Sequence, residues 1–151
     1  MEPRVDPTVR RAAERLLRQR LDGMSTGEKI SLGRRSPRTV FAALLEDPDP
    51  RILRALLGNP RLLEHDAVKV ASDGRSRPEV LSFLASHPVW GRRRSVREAL
   101  VRHPRTPVPV ALGLVSRFPR RELTRLIRDA AVPKIVRVGA ERRLQGRMTR
   151  E

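Results

Sequence analysis

The sequence predicts an all-α chain built as an array of short helices stacked layer on layer. Three observations lead there. Apolar residues recur at helical spacing along almost the whole chain, and period-two alternation is almost absent. An apolar pair repeatedly runs into a polar residue and a proline: Ala43-Leu44 into Asp47-Pro48, Ala55-Leu56 into Asn59-Pro60, Phe83-Leu84 into His87-Pro88, and Ala99-Leu100 into His103-Pro104. The segments between these stops are too short to hold a helix alone, so their apolar faces must be covered by neighbours, which is the logic of a repeat protein. Each apolar pair then marks the inward side of a helix end, and each polar-Pro step stops that helix and redirects the chain.

The first helix is expected near residues 8 to 21, with Val9, Ala12, Ala13, Leu16 and Leu17 facing inward, Pro7 outside its start and Asp22-Gly23 ending it. Ser25-Thr26-Gly27-Glu28 has the order of a capping box and predicts a short helix near 26 to 34. Ser36-Pro37 offers a capping hydroxyl before a proline, leading to Val40, Phe41, Leu44 and Leu45. Asp49-Pro50 repeats the signal before Ile52, Leu53, Leu56 and Leu57, and Gly58-Asn59-Pro60 closes that helix. Residues 64 to 72 carry Ala67, Val68 and Ala71, and Ser76-Arg77-Pro78-Glu79 precedes Val80, Leu81 and Leu84. Ser95-Val96-Arg97-Glu98 reads as a second capping box. Thr106-Pro107, Pro119 and Pro133 start the remaining helices, whose inward residues include Ala111, Leu123, Leu126, Val136 and Ala140. The expected organisation is a capping segment over 1–35, a helical repeat array over 36–145 and a disordered tail over 146–151.

Composition narrows the function classes. The 151 residues suit one domain or one array. With no cysteine, disulfides, thiolate metal sites and thiol nucleophiles are excluded. The opening MEPRVDPTVRRAAERLL lacks an apolar signal core, and no window approaches the roughly 20 apolar residues of a membrane span, so a soluble, cytoplasmic protein is expected. A net charge of +16 predicts attraction to polyanions: nucleic acid, ribonucleoprotein, anionic lipid or an acidic protein. The same Arg-rich, Lys-poor, Ala-rich composition also follows from a GC-rich genome.

Asp47-Pro48-Asp49, then Arg54-Ala55-Leu56-Leu57-Gly58-Asn59-Pro60, then Ala67 to Ala71, resembles a unit of the leucine-rich repeat variant family. His103-Pro104-Arg105-Thr106-Pro107 with Ala111-Leu112 is similar to the Asn-Pro-x-Thr-Pro variant of bacterial HEAT-like arrays. The resemblance covers roughly residues 36 to 145 and implies an α-solenoid, a right-handed superhelix of short paired helices. The prolines at 48, 60, 88 and 104 keep no single period, and the iron–sulfur cluster of one variant-family member cannot carry over to a chain without cysteine.

The expected function is a non-catalytic helical-repeat binding or scaffold module, with no cofactor. Phosphate loops, dinucleotide fingerprints and Gly-x-Ser-x-Gly elbows are missing from the sequence. His87 and His103 share the position before a proline at a helix end, where a histidine favours the negative end of the helix dipole, and neither has a ligand partner at metal spacing. Asp47 and Asp49 read as caps. Trp90 reads first as a lid over the core between two repeats and second as an aromatic contact for a ligand.

The arginines carry the partner expectation. Arg92, Arg93, Arg94 and Arg97 crowd a helix start that is already positive, a placement that suits an anion better than the helix. Arg121, Arg125 and Arg128 form a stripe opposite Leu123, Leu126 and Ile127, and Arg143, Arg147 and Arg150 repeat the spacing. Both sets can equally be a solvated face. The favoured partner is nucleic acid or a ribonucleoprotein held through its backbone, since aromatics for base stacking are scarce. An acidic protein is the competing partner. HEAT-like DNA glycosylases suggest a remote enzyme alternative in which Trp90 and Glu98 or Asp129 would act. Peripheral attachment to anionic lipid ranks lower, because no basic stripe is paired with large apolar anchors.

Overall fold

A computed structural model describes residues 5–149, and every regular element among them is helical. The all-α expectation therefore holds. The chain divides into two compact units, Met1–Leu62 and Leu63–Glu151, a division that falls inside the stretch read as the repeat array. No described helix is long and apolar enough to cross a membrane.

The first unit contains α1 (Pro7–Asp22), α2 (Thr26–Arg35), a 3-10 turn at Arg38–Val40, α3 (Phe41–Leu45) and α4 (Pro50–Leu57). Its starts obey simple capping chemistry. Asp6 accepts from the Thr8 amide at 2.8 Å and Pro7 takes the first helical position. Both bonds of the Ser25–Glu28 capping box form, at 2.7 and 3.2 Å. Asp49 accepts from the Arg51 amide at 2.9 Å, with Pro50 opening α4. Phe41, Leu44, Ile52, Leu56 and Leu57 are buried together with Gly33. A Cβ on Gly33 would sit 3.3 Å from the Leu56 nitrogen, so a glycine lets α2 lie directly on the α4 backbone.

The inward face expected for α1 is instead open. Val9 is 58% exposed and Leu16 66% exposed, and Ala12 and Ala13 are exposed beside them. Only Leu21 is buried, with Leu17 half-covered. The helix meets α3 through its last turns, where Arg18 pairs with Glu46 at 2.7 Å, and its early turns lie beyond that contact within this unit.

The second unit contains α5 (Glu64–Ser72), α6 (Pro78–Ser86), a 3-10 turn at Trp90–Arg92, α7 (Arg94–Arg102), α8 (Val108–Val115), α9 (Arg120–Arg128) and α10 (Lys134–Met148). Helices separated by one element lie against each other: α5 on α7, α6 on α8 and α8 on α10. Val80, Leu84, Val96, Leu100, Phe118 and Leu123 are buried between them. The final helix runs through Met148, so the predicted array limit at 145 falls inside it; Arg150 and Glu151 lie outside the described residues.

The polar residue that follows α3, α4, α5, α6, α7 and α9 has one recurring job. Its side chain accepts the amide two residues on: Asp47 from Asp49, Asn59 from Arg61, Asp73 from Arg75, His87 from Val89, His103 from Arg105 and Asp129 from Ala131, all at 2.9–3.2 Å. Two of these side chains also reach an earlier turn of the same unit. Asn59 donates to the Gly33 and Ser36 carbonyls at 2.8 and 3.2 Å. His103 lies 2.8 Å from the Asp73 carbonyl, thirty residues back, through Nε2; since its Nδ1 is an acceptor, Nε2 holds the proton and donates. The two histidines thus serve as turn closers that accept the amide two residues on.

Two hydroxyls near the prolines bond backward. Ser76 donates backward to the Val70 carbonyl, and Thr106 to the Leu100 carbonyl, both at 2.7 Å. Each satisfies the end of the helix just finished, leaving the following proline to start the next one. Ser36 likewise does not cap: it ends α2, and its Oγ is buried without a partner. The second predicted capping box is absent, because α7 begins at Arg94, Ser95 donates to Glu64 and Glu98 is held by Arg94.

Asn59 offers a direct test of turn closure. Asn59→Ala leaves two buried carbonyls and one turn amide unpaired and should lower the unfolding free energy by about 2–3 kcal/mol in urea titration. Asn59→Asp should be no better, because it turns a carboxylate toward two carbonyl oxygens.

Candidate polyanion-binding surface

The helix start at Arg94 holds four arginines, and the fold gives them different tasks. Arg94 bridges two carboxylates, Glu98 on its own helix at 2.9 Å and Glu122 on α9 at 3.0 Å. Those two partners hold its guanidinium still more firmly protonated, the hydrogen bond to Glu98 first and the charge of Glu122 next. Arg93 approaches Glu64 of α5 at 3.8 Å. Arg97 is half-buried, with its guanidinium 5.5 Å from the centre of the Phe118 ring. Of the four, only Arg92 is exposed with no carboxylate partner among the described residues. The positive helix start is thus largely balanced from within, by acids the sequence places far away. It presents one open guanidinium, not the four expected of an anion site.

At the other end of α7, Arg102 pairs with Asp129 at 2.9 Å and donates to the Glu98 carbonyl at 3.1 Å. Asp129 is held below the ordinary carboxylate range by the Ala131 amide and by Arg102. Two ion pairs therefore tie α7 to α9. The same two arginines engage Glu98 and Asp129, the two carboxylates that an enzymatic reading would need.

Trp90 is 9% exposed and stacks on the His87 ring, centroids 6.3 Å apart and planes at 27°. The His87 Nδ1 accepts the Val89 and Trp90 amides at 3.2 and 3.3 Å. Burial disfavours its charged form and moves its pKa down. Behind it, a Cβ on Gly91 would collide with the Ala85 carbonyl, so this turn closes tightly over α6. The indole is part of that closure.

The stripe on α9 is different. Leu123 and Leu126 are buried and Ile127 is half-buried, while Arg121, Arg125 and Arg128 lie on the opposite, exposed side with no carboxylate in reach among the described residues. The helix repeat places the three within roughly 10 Å along the axis. On α10, Arg143 and Arg147 both donate to the Ser116 carbonyl, at 3.5 and 3.4 Å, beside exposed Arg117. That convergence was not legible in the sequence. The i, i+4 spacing of Arg143 and Arg147 places them on one face, but only the register of α10 against α8 brings that face to Ser116.

No known protein family, curated protein or solved structure matches this chain.

Two outcomes follow from these contacts. Arg94→Gln should lower the melting temperature measured by circular dichroism, because it unties α7 from α9, whereas Arg92→Gln should leave it unchanged. His87 carries a pH dependence. Its folded pKa lies below the unfolded value near 6.5, so its contribution is complete above that pH and declines as pH falls below it. His87→Asn keeps an acceptor for the turn amides and removes the titration. The variant should lose less stability than the wild type between pH 7 and about 5 in denaturant titrations.

Proposed function

We propose that the second unit is a solenoid-like helical repeat and that the protein is a non-catalytic module that binds a polyanion. Nucleic acid or a ribonucleoprotein, gripped through its phosphates, is the partner favoured by the charge. The reading rests on one observation: Arg121, Arg125 and Arg128 stand exposed in a row on α9 with no carboxylate partner among the described residues, while the nearby acids Glu98, Glu122 and Asp129 are engaged elsewhere. An ion-pairing role within the fold would need carboxylate partners for these cations. A phosphate backbone supplies them without base contacts, which suits a chain with three Phe, one Trp and no Tyr. The repeat reading is supported by the contacts between alternate helices and by the matching turns at 73–76 and 103–106. The net charge of +16 strengthens attraction over distance at low salt.

Salt dependence tests this reading. Binding to a mixed-sequence duplex should weaken steeply with salt, and Arg121→Gln/Arg125→Gln/Arg128→Gln should reduce the slope of log K against log salt by about 2–3 while leaving the melting temperature in place. An unchanged slope would remove the α9 stripe from the interface.

A further inference from the structure

Between α6 and α8 runs an open groove of about 390 Å³, lined by Ser82, Ala85 and Ser86 on one side and by Pro109, Gly113 and Arg117 on the other. We propose that it docks an extended acidic segment of a partner protein, with a carboxylate of that segment held by Arg117, Arg143 and Arg147 at the groove's end.

Gly113 is the first reason. It lies inside α8, where glycine costs helix stability relative to alanine. Gly33, Gly91 and Gly139 each face a close neighbour: the α4 backbone, the Ala85 carbonyl and Leu112 respectively. Gly113, like Gly146 on α10, has none; a Cβ there would meet nothing within 4 Å, its φ is not positive, and Gly113 is the one of the two that lines the groove. The empty space in front of it is the groove. The second reason is charge. Arg143 and Arg147 both point their guanidinium groups at the Ser116 carbonyl, Arg117 is next in the chain and lines the groove, and no carboxylate pairs with any of them among the described residues. The negative end of α8 offsets part of this crowding. A carboxylate would complete it with charge-assisted, two-pronged hydrogen bonds.

The occupant follows from the lining. Small side chains and the Ser82 hydroxyl suit a peptide backbone laid close to the helices, and no aromatic ring is present in the groove to stack a base. Eight residues of α8 give a floor of about 12 Å, enough for three or four extended residues at about 3.3 Å each. A second copy of this chain, itself carrying +16, lacks the complementary charge. The slot does not use the α9 stripe, so each proposal can fail without the other.

Fluorescence anisotropy with a labelled octapeptide of alternating Asp and Ala tests the slot. Gly113→Leu fills the groove while improving helix propensity, so it should keep or raise the melting temperature and weaken peptide binding at least about tenfold. Arg117→Gln/Arg143→Gln, altering exposed residues only, should weaken it by a similar factor. Lys134→Gln removes a charge from the far end of α10 and should bind as the wild type does. Wild-type affinity in the Gly113→Leu and arginine variants would overturn the proposal. So would an equal loss in Lys134→Gln, or displacement of the peptide by a single-stranded oligonucleotide at matched charge.

Discussion

Closing each turn with the side chain that ends the helix is the constraint on which the rest of this structure depends. Helices of eight or nine residues have almost as many unpaired end groups as paired ones. At two of the stops a single residue addresses both sides of that problem. Its acceptor captures the amide two residues ahead, as Asn59 does for Arg61 and His103 for Arg105. Its remaining donor can then reach an earlier turn, as Asn59 reaches Gly33 and His103 reaches Asp73. Asp, Asn and His interchange at this position because each offers an acceptor at the right reach. The same side chain that breaks the helix also registers successive layers within its unit.

Once the turns are set, the arginines sort into two populations. Arg94 and Arg102 tie α7 to α9 through Glu122 and Asp129, and Arg97 covers Phe118. These use their charge or their flat guanidinium inside the fold. Arg121, Arg125 and Arg128, with Arg117 at the mouth of the α6–α8 groove, are left over. Their leftover status comes from where the acids went, not from the number of basic residues alone. A basic composition inherited from a genome would still be partitioned by this fold into structural and outward-facing cations.

The helices were legible because their punctuation is local. Asp49-Pro50, Ser25 with Glu28, and the polar-Pro stops act over two or three residues, and a sequence displays them directly. The arginine roles were not, because Glu122 lies 28 positions from Arg94 and nothing local announces the pairing. The capping role expected of Ser36 fails for a related reason. A hydroxyl before a proline can cap forward or bond backward, and only burial against the preceding helix decides. The open face of α1 shows the limit of periodicity: Val9 and Leu16 have core spacing, yet the contact with α3 comes through the other end of that helix. On α9, by contrast, the spacing of Arg121, Arg125 and Arg128 against Leu123 and Leu126 was enough, since one helix defines both faces.

Native-state hydrogen exchange at the turn amides of Arg61 and Arg105 tests the central claim most directly. Amides in short surface turns normally exchange fast. Here both donate to buried side chains whose other ends are anchored, so they should be protected nearly as well as the core of their own units, by several orders of magnitude over an unstructured peptide. Exchange at the rate of an open loop, with the helices still protected, would contradict the account.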